Sequence, residues 1–137
     1  MPFEFHQKVL FKHCDPAGIV FYPRYIEMIN DCTEDFFDRV LDWPFEKMLE
    51  SSGTPTVSTA TEFQAPSRHG DQLVLTLAIE KIGRSSLTFT VCSHCKKEPR
   101  FSNQTTLVCV DNKGKPASWP DAVRFKIETY RDEFHDS

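Results

Sequence analysis

The sequence predicts an α+β domain in which a mostly antiparallel sheet curls around one long helix. Three observations carry this: apolar and polar residues alternate over residues 3–12, a helical period runs from Tyr22 to Val40, and four more alternating segments lie between Val57 and Cys109. Each element has one apolar face. The economical way to bury them together is to lay the helix against one side of the sheet.

The first strand places Phe3, Phe5, Val9 and Phe11 on one face, with Glu4, His6, Lys8 and Lys12 mostly on the other. Turn residues follow at Asp15-Pro16 and Gly18, and then the period changes. Tyr22, Tyr25, Ile26, Ile29, Cys32, Phe36, Phe37 and Val40 follow the i, i+3, i+4, i+7 rule, while Glu27, Asp31, Glu34, Asp35 and Asp38 lie opposite. Pro23 suits the first turn of that helix, where a missing N–H costs nothing. A short helical turn is predicted over Phe45 to Glu50. The next strands carry Val57-Thr59-Thr61-Phe63, Leu73-Leu75-Leu77-Ile79, Leu87-Phe89-Val91 and Phe101-Thr105-Leu107-Cys109. Breaks are expected at Pro66 to Gly70, Gly83, Glu98-Pro99 and Asp111 to Gly114. Pro120 to Phe134 reads as a closing amphipathic helix with Val123, Ile127 and Tyr130 inward.

At 137 residues, 39% of them hydrophobic, the chain has material for one core and no room for a second domain. A net charge of −4, without any Lys/Arg stripe, argues against nucleic acid as a partner. No apolar run approaches the roughly 20 residues of a membrane-spanning helix. Met1-Pro2-Phe3-Glu4-Phe5 lacks the basic and apolar regions of a signal peptide, so the cytoplasm is the expected compartment. Five cysteines (14, 32, 92, 95, 109) without regular spacing fit reduced thiols.

The segment Asp15-Pro16-Ala17-Gly18-Ile19-Val20-Phe21-Tyr22-Pro23-Arg24-Tyr25 resembles the signature loop and helix start of the hotdog-fold acyl-CoA thioesterases, in the branch typified by 4-hydroxybenzoyl-CoA thioesterase. Ser52-Gly53-Thr54-Pro55-Thr56-Val57-Ser58, Gly83-Arg84-Ser85-Ser86-Leu87 and Pro120-Asp121-Ala122-Val123-Arg124 resemble other parts of the same family. The resemblance therefore implies one hotdog domain over residues 1–137, with a five-stranded sheet. It implies that Asp15 is the catalytic carboxylate and that the Tyr22 backbone N–H holds the thioester oxygen. It further implies a CoA thioester substrate, no cofactor and no metal. Gly18, Phe21, Tyr25 and Thr59 are the expected substrate-facing residues, with Met28 and the rest of the Val57 to Phe63 strand. Arg84, Ser85 and Ser86 form the turn expected near the CoA phosphates, with Lys81 close by. A homodimer or homotetramer, with the acyl slot between subunits, is implied as well. Where the typical 4-hydroxybenzoyl enzyme has an acidic residue, this chain has Asn30.

The chemistry stands without the resemblance. Thioester hydrolysis needs a nucleophile or base, donors for the oxyanion, and a slot that limits water. A helix N-terminus supplies unpaired N–H groups. The helix dipole is worth only about 0.3 to 1 kcal/mol, whereas losing one oxyanion donor costs about 3 to 4 kcal/mol in other acyl-transfer enzymes. Donor geometry should dominate. Gly18 permits the close turn and Pro16 stiffens it.

Other clusters read as structural. His13-Cys14-Asp15 cannot form a triad, because consecutive extended residues point in alternate directions. Cys92 and Cys95 fall on opposite faces of a strand and no second pair follows, so no zinc site is expected. The acidic helix face reads as solvated surface, and His69 as an exposed turn residue. Two competing readings of the whole chain are a non-catalytic acyl-CoA sensor and a dehydratase. The sensor would dispense with Asp15. The dehydratase would want a His on the helix, and none lies between Phe21 and Leu41.

Overall fold

The computed structural model describes residues 2–134. In chain order the elements are β1 (Glu4–Lys8), a 3-10 turn (Phe11–His13), α1 (Tyr22–Arg39), α2 (Phe45–Met48), β2 (Ser52–Gly53), β3 (Thr56–Phe63), β4 (Gln72–Ile82), β5 (Ser86–Cys95), β6 (Glu98–Val108), β7 (Val110–Asp111) and α3 (Asp121–Glu133). Five strands form one antiparallel sheet in the order β1-β4-β5-β6-β3, and β2 pairs with β7 alone. This is the α+β hotdog arrangement the sequence predicts.

The alternating residues of β4, β5 and β6 build the inner face. Leu73, Leu75, Leu77 and Ile79 are buried, as are Leu87, Phe89, Val91, Phe101 and Leu107. Against them α1 buries Tyr25, Met28, Ile29, Cys32, Phe36 and Phe37. Burial raises the Cys32 thiol to about 12, so it acts as a small hydrophobe. Edge-on aromatic packing locks the helix in place: Phe36 meets Phe3 at 5.4 Å and Tyr130 at 4.9 Å between ring centroids. The Tyr130 hydroxyl donates to the Leu77 carbonyl at 2.6 Å and accepts the Phe3 N–H at 3.1 Å, which ties α3 to β4 and to the N-terminal segment. The acidic side of α1 is indeed surface, with Glu27 and Asp35 paired to Arg24 and Arg39 along the helix.

Four expectations need correction. The first strand ends at Lys8 instead of running to residue 12, because the chain closes a tight turn in which the Leu10 N–H donates to His13 Nδ1 at 2.8 Å; Phe11 is thereby turned outward. The turn expected at Glu98-Pro99 falls at Lys96-Lys97, both in the left-handed region at φ 50° and 71°, and Glu98-Pro99 already belongs to β6. Two-residue hairpin turns of this kind normally use Asn or Gly. β3 is not half-buried: it lies at the sheet's edge with Val57 59% and Phe63 51% exposed. Tyr22 and Ile26, expected on the core face of α1, are 62% and 42% exposed. Their side chains border grooves described next.

Candidate active site

The loop between the 3-10 turn and α1 folds back on itself. Cys14 bridges Val20, the Asp15 N–H donates to the Ile19 carbonyl at 3.0 Å, and the Phe21 N–H donates to the His13 carbonyl at 2.9 Å. Asp15 thus lies across a two-stranded turn from the residues that lead directly into the helix. Gly18 sits at φ +82°, the left-handed conformation this turn requires, and its N–H donates to the Asp15 carbonyl at 2.9 Å. The Asp15 carboxylate is half-buried and accepts the Ala17 N–H at 2.8 Å, which orients it within the loop.

At the helix start the free donors are few, for a reason visible in the sequence. Pro23 has no N–H, and the Arg24 N–H turns back to the Phe21 carbonyl at 2.8 Å. Among the described residues the Tyr22 N–H has no hydrogen-bond acceptor, and no side chain caps this end of α1. One open amide therefore stands at the positive end of an 18-residue helix, close in the fold to a carboxylate-bearing loop.

A groove of about 290 Å³ opens beside this amide, lined by Ile19, Val20, Tyr22 and Tyr25 on one side and by Phe63 to Pro66 on the other. Phe63 stands over both tyrosines, with ring centroids 6.1 Å from Tyr22 and 5.8 Å from Tyr25. The seam between α1 and β3 continues into a smaller cavity of about 130 Å³, bordered by Ile26, Asn30 and Thr33 of the helix and by Thr54, Thr56, Thr59 and Thr105. Ile26 is one turn beyond Tyr22, about 6 Å along the axis.

Four of the five threonine hydroxyls in this cavity, all but that of Thr56, share a property. Asn103, only 1% exposed, lies between Thr59, Thr61 and Thr105 at 2.9, 2.8 and 2.6 Å, and Thr59 and Thr105 are 3.0 Å apart. Either orientation of the Asn103 amide commits the protons of both Thr59 and Thr105 inside this network. Thr33 donates to the Ile29 carbonyl at 2.8 Å, and Thr54 points its proton at the Met48 sulfur at 3.6 Å. These four hydroxyls present lone pairs to the cavity. Asn103 was not among the sequence candidates, because a polar residue between Phe101 and Thr105 gives no local sign of burial.

The remaining predicted residues divide. Tyr25 and Thr59 line the seam. Met28, 1% exposed, belongs to the core and not to the slot. Phe21 is half-exposed and packs against Tyr22, with centroids 5.6 Å apart. Arg84, Ser85 and Ser86 are not brought to Asp15 within one chain. Their turn joins β4 to β5 beside the start of β3 and the end of β6, whereas Asp15 sits beside residues 67–71, which lead into the opposite end of β4. Eleven residues of β4 separate the two ends, a span of about 36 Å. The turn's backbone serves the fold: the Ser85 carbonyl accepts the Cys109 N–H, and the Ser86 carbonyl accepts the Gly83 N–H and the Trp119 indole N–H. The Arg84 side chain is left exposed.

His13 is buried beneath the loop, and burial lowers its pKa, so it is a neutral acceptor for the Leu10 N–H. Cys92 and Cys95 occupy opposite faces of β5, as expected. No group of three or more potential metal ligands occurs among the described residues, and no helix there is long and apolar enough to cross a membrane.

The 4-hydroxybenzoyl-CoA thioesterase of Pseudomonas sp. (strain CBS-3) is 29% identical over 83 residues, a match spanning 58% of this chain and 59% of that protein's length. The 1,4-dihydroxy-2-naphthoyl-CoA thioesterase from Synechocystis superposes with a TM-score of 0.85 at 20% identity, covering 93% of this chain and 96% of the other. A Staphylococcus aureus protein solved in complex with CoA superposes with a TM-score of 0.91 at 14% identity, covering 100% and 87%. The sequence profile of the thioesterase-like superfamily matches residues 9–127, and the chain belongs to that superfamily.

Proposed function

We propose that this protein hydrolyses acyl-CoA or aryl-CoA thioesters, with Asp15 as nucleophile or general base and the Tyr22 backbone N–H as oxyanion donor. The observation that carries the reading is the open amide of Tyr22 at the start of α1, beside the loop that presents Asp15. As charge develops on the thioester oxygen, a fixed N–H at a helix end stabilises it without reorganisation. The carboxylate either attacks the carbonyl carbon, giving an anhydride that water then opens, or removes a proton from the attacking water. In both routes the C–S bond breaks, CoA leaves as thiolate and is protonated, and the acid is released. A non-catalytic acyl-CoA sensor would have no use for Asp15, and tight binding without turnover would favour it.

CoA would reach the site through a second copy of the chain. β3 is a free edge exposed on both faces, a state that strand pairing relieves. Antiparallel pairing of two β3 strands about a two-fold axis sets the Phe63 end of one beside the Thr56 end of the other. That brings the second copy's Arg84 turn to the end of the sheet that carries Asp15. Sedimentation is expected to show a homodimer or homotetramer, and Val57→Asp, which charges this edge, is expected to shift it to an inactive monomer. A catalytically active monomer would contradict the arrangement.

The cavity beyond Tyr22 bears on the acyl group. Four of its five threonine hydroxyls have their protons committed and its lining carries no charged side chain, so an acyl group with a neutral hydrogen-bond donor fits it better than an isostere without one. Hydroxyaryl-CoA is expected to exceed the matching methoxyaryl-CoA in kcat/KM by about tenfold, the value of one hydrogen bond with its desolvation. Equal kcat/KM across such pairs would remove this preference and leave the hydrolytic role untouched.

A further inference from the structure

We infer that Arg100 is a positioning residue for this site, holding the Asp15–Tyr22 loop and the adjoining groove wall in one geometry. The inference rests on the thioesterase reading above. Arg100 stands at the start of β6 with its side chain only 11% exposed. The two hydrogens of its Nη1 are shared among the Pro66 carbonyl at 3.2 Å, Ser67 Oγ at 3.1 Å and Asp71 Oδ2 at 2.7 Å. Its own carbonyl accepts the N–H groups of Gln64 at 2.9 Å and Ala65 at 3.3 Å. One residue thus grips the segment 64–71 along its whole length. Arg100 Nε lies 2.8 Å from the Glu98 carboxylate without hydrogen-bond alignment, so that contact is an ion pair only.

The gripped segment holds the catalytic loop. The Ser67 carbonyl accepts the Val20 N–H at 2.9 Å, and Arg68 bridges Ile19, so the strand leading into Tyr22 is zipped to residues that Arg100 fixes. The same segment supplies Gln64, Ala65 and Pro66 to the groove wall facing Tyr22 and Tyr25. Asp71 closes the clamp: its Oδ2 also accepts the Arg68 N–H at 3.0 Å. That backbone bond, with the Arg100 side chain, holds the Asp71 carboxyl below the usual carboxylate range. Arg100 itself does not line the groove, so any effect on turnover must travel through backbone position.

A displacement of about 1 Å at reacting groups costs on the order of 100-fold in rate. Arg100→Gln is therefore expected to lower kcat by about 10- to 100-fold with KM changed less than about threefold. Arg100→Lys, which keeps the charge and offers three N–H donors on a single nitrogen but at the end of a differently shaped side chain, should recover part of that loss. A purely structural Arg100 would lower the melting temperature yet leave kcat per folded protomer at the wild-type value, and that result overturns the inference. Should Arg100→Gln not fold, Asp71→Asn carries the same test from the other side of the clamp, with the same expected split and the same overturning result. Asp15→Asn, assayed alongside, separates the two claims: if it is inactive while the clamp variants keep wild-type kcat, only the clamp fails. If Asp15→Asn retains full rate, the carboxylate reading fails and the clamp's role in catalysis falls with it.

Discussion

Asp15→Asn is expected to reduce kcat for thioester cleavage by about 100- to 10,000-fold, the range lost when a positioned base or nucleophile is removed. The substitution keeps size and the ability to accept the Ala17 N–H, so the loop should keep its shape. The carboxylate's proton-accepting and nucleophilic character is what disappears. Released CoA thiol, followed on a small panel of acyl-CoA substrates, measures the loss. Because the Tyr22 amide remains, KM should move little and some catalysis above the uncatalysed rate should persist, as oxyanion donors act independently of the base. Equal rates for wild type and variant would exclude the proposed role.

The second large effect is on stability. Phe36→Ala is expected to destabilise the fold by about 3 to 5 kcal/mol, the usual result of emptying a buried phenyl site. Phe36 is 1% exposed and lies among Phe3, Phe37 and Tyr130, where N-terminal segment, α1 and α3 meet. These neighbours belong to separate elements and cannot close the void without moving whole elements. Native domains hold only about 5 to 15 kcal/mol in total, so such a loss should show as a large drop in the urea midpoint and in melting temperature. Activity should follow the folded fraction, since α1 carries the Tyr22 amide at its far end. A change below about 1 kcal/mol would mean that the helix is held elsewhere.

How much of this was legible in the sequence depends on whether the signal was local. α1 was plain because its period is sustained and Tyr22-Pro23 marks its start; the structure begins the helix at Tyr22. β4 and β5 were equally plain, since β5 buries one face along its length and β4 does so from Leu73 to Ile79. β3 misled because Val57 and Phe63 alternate like core residues yet belong to a free edge, so their apolar character serves something outside one protomer. The Lys96-Lys97 turn carried no turn chemistry to read. In the loop before α1, the closeness of Asp15, Gly18 and Tyr22 was legible because sequence neighbours there become spatial neighbours. The separation of Arg84 from Asp15 could not, since it follows from which end of β4 each loop joins. Arg100 and Asn103 were missed for the same reason: most of their partners lie more than 25 residues away, and neither has a distinguishing neighbour in the chain.

In the proposed mechanism one backbone amide and one carboxylate are the machinery that a CoA thioester meets. The most direct measurement is the structure of the protein with a CoA thioester analogue in which a methylene replaces the sulfur. The analogue's carbonyl oxygen is expected about 2.7 to 3.1 Å from the Tyr22 nitrogen, with the Asp15 carboxylate facing the carbonyl carbon directly or through one water and the acyl group along the α1–β3 seam. An analogue bound with its carbonyl out of hydrogen-bond reach of Tyr22, or with Asp15 turned away from it, would rule out the proposed roles of these two groups.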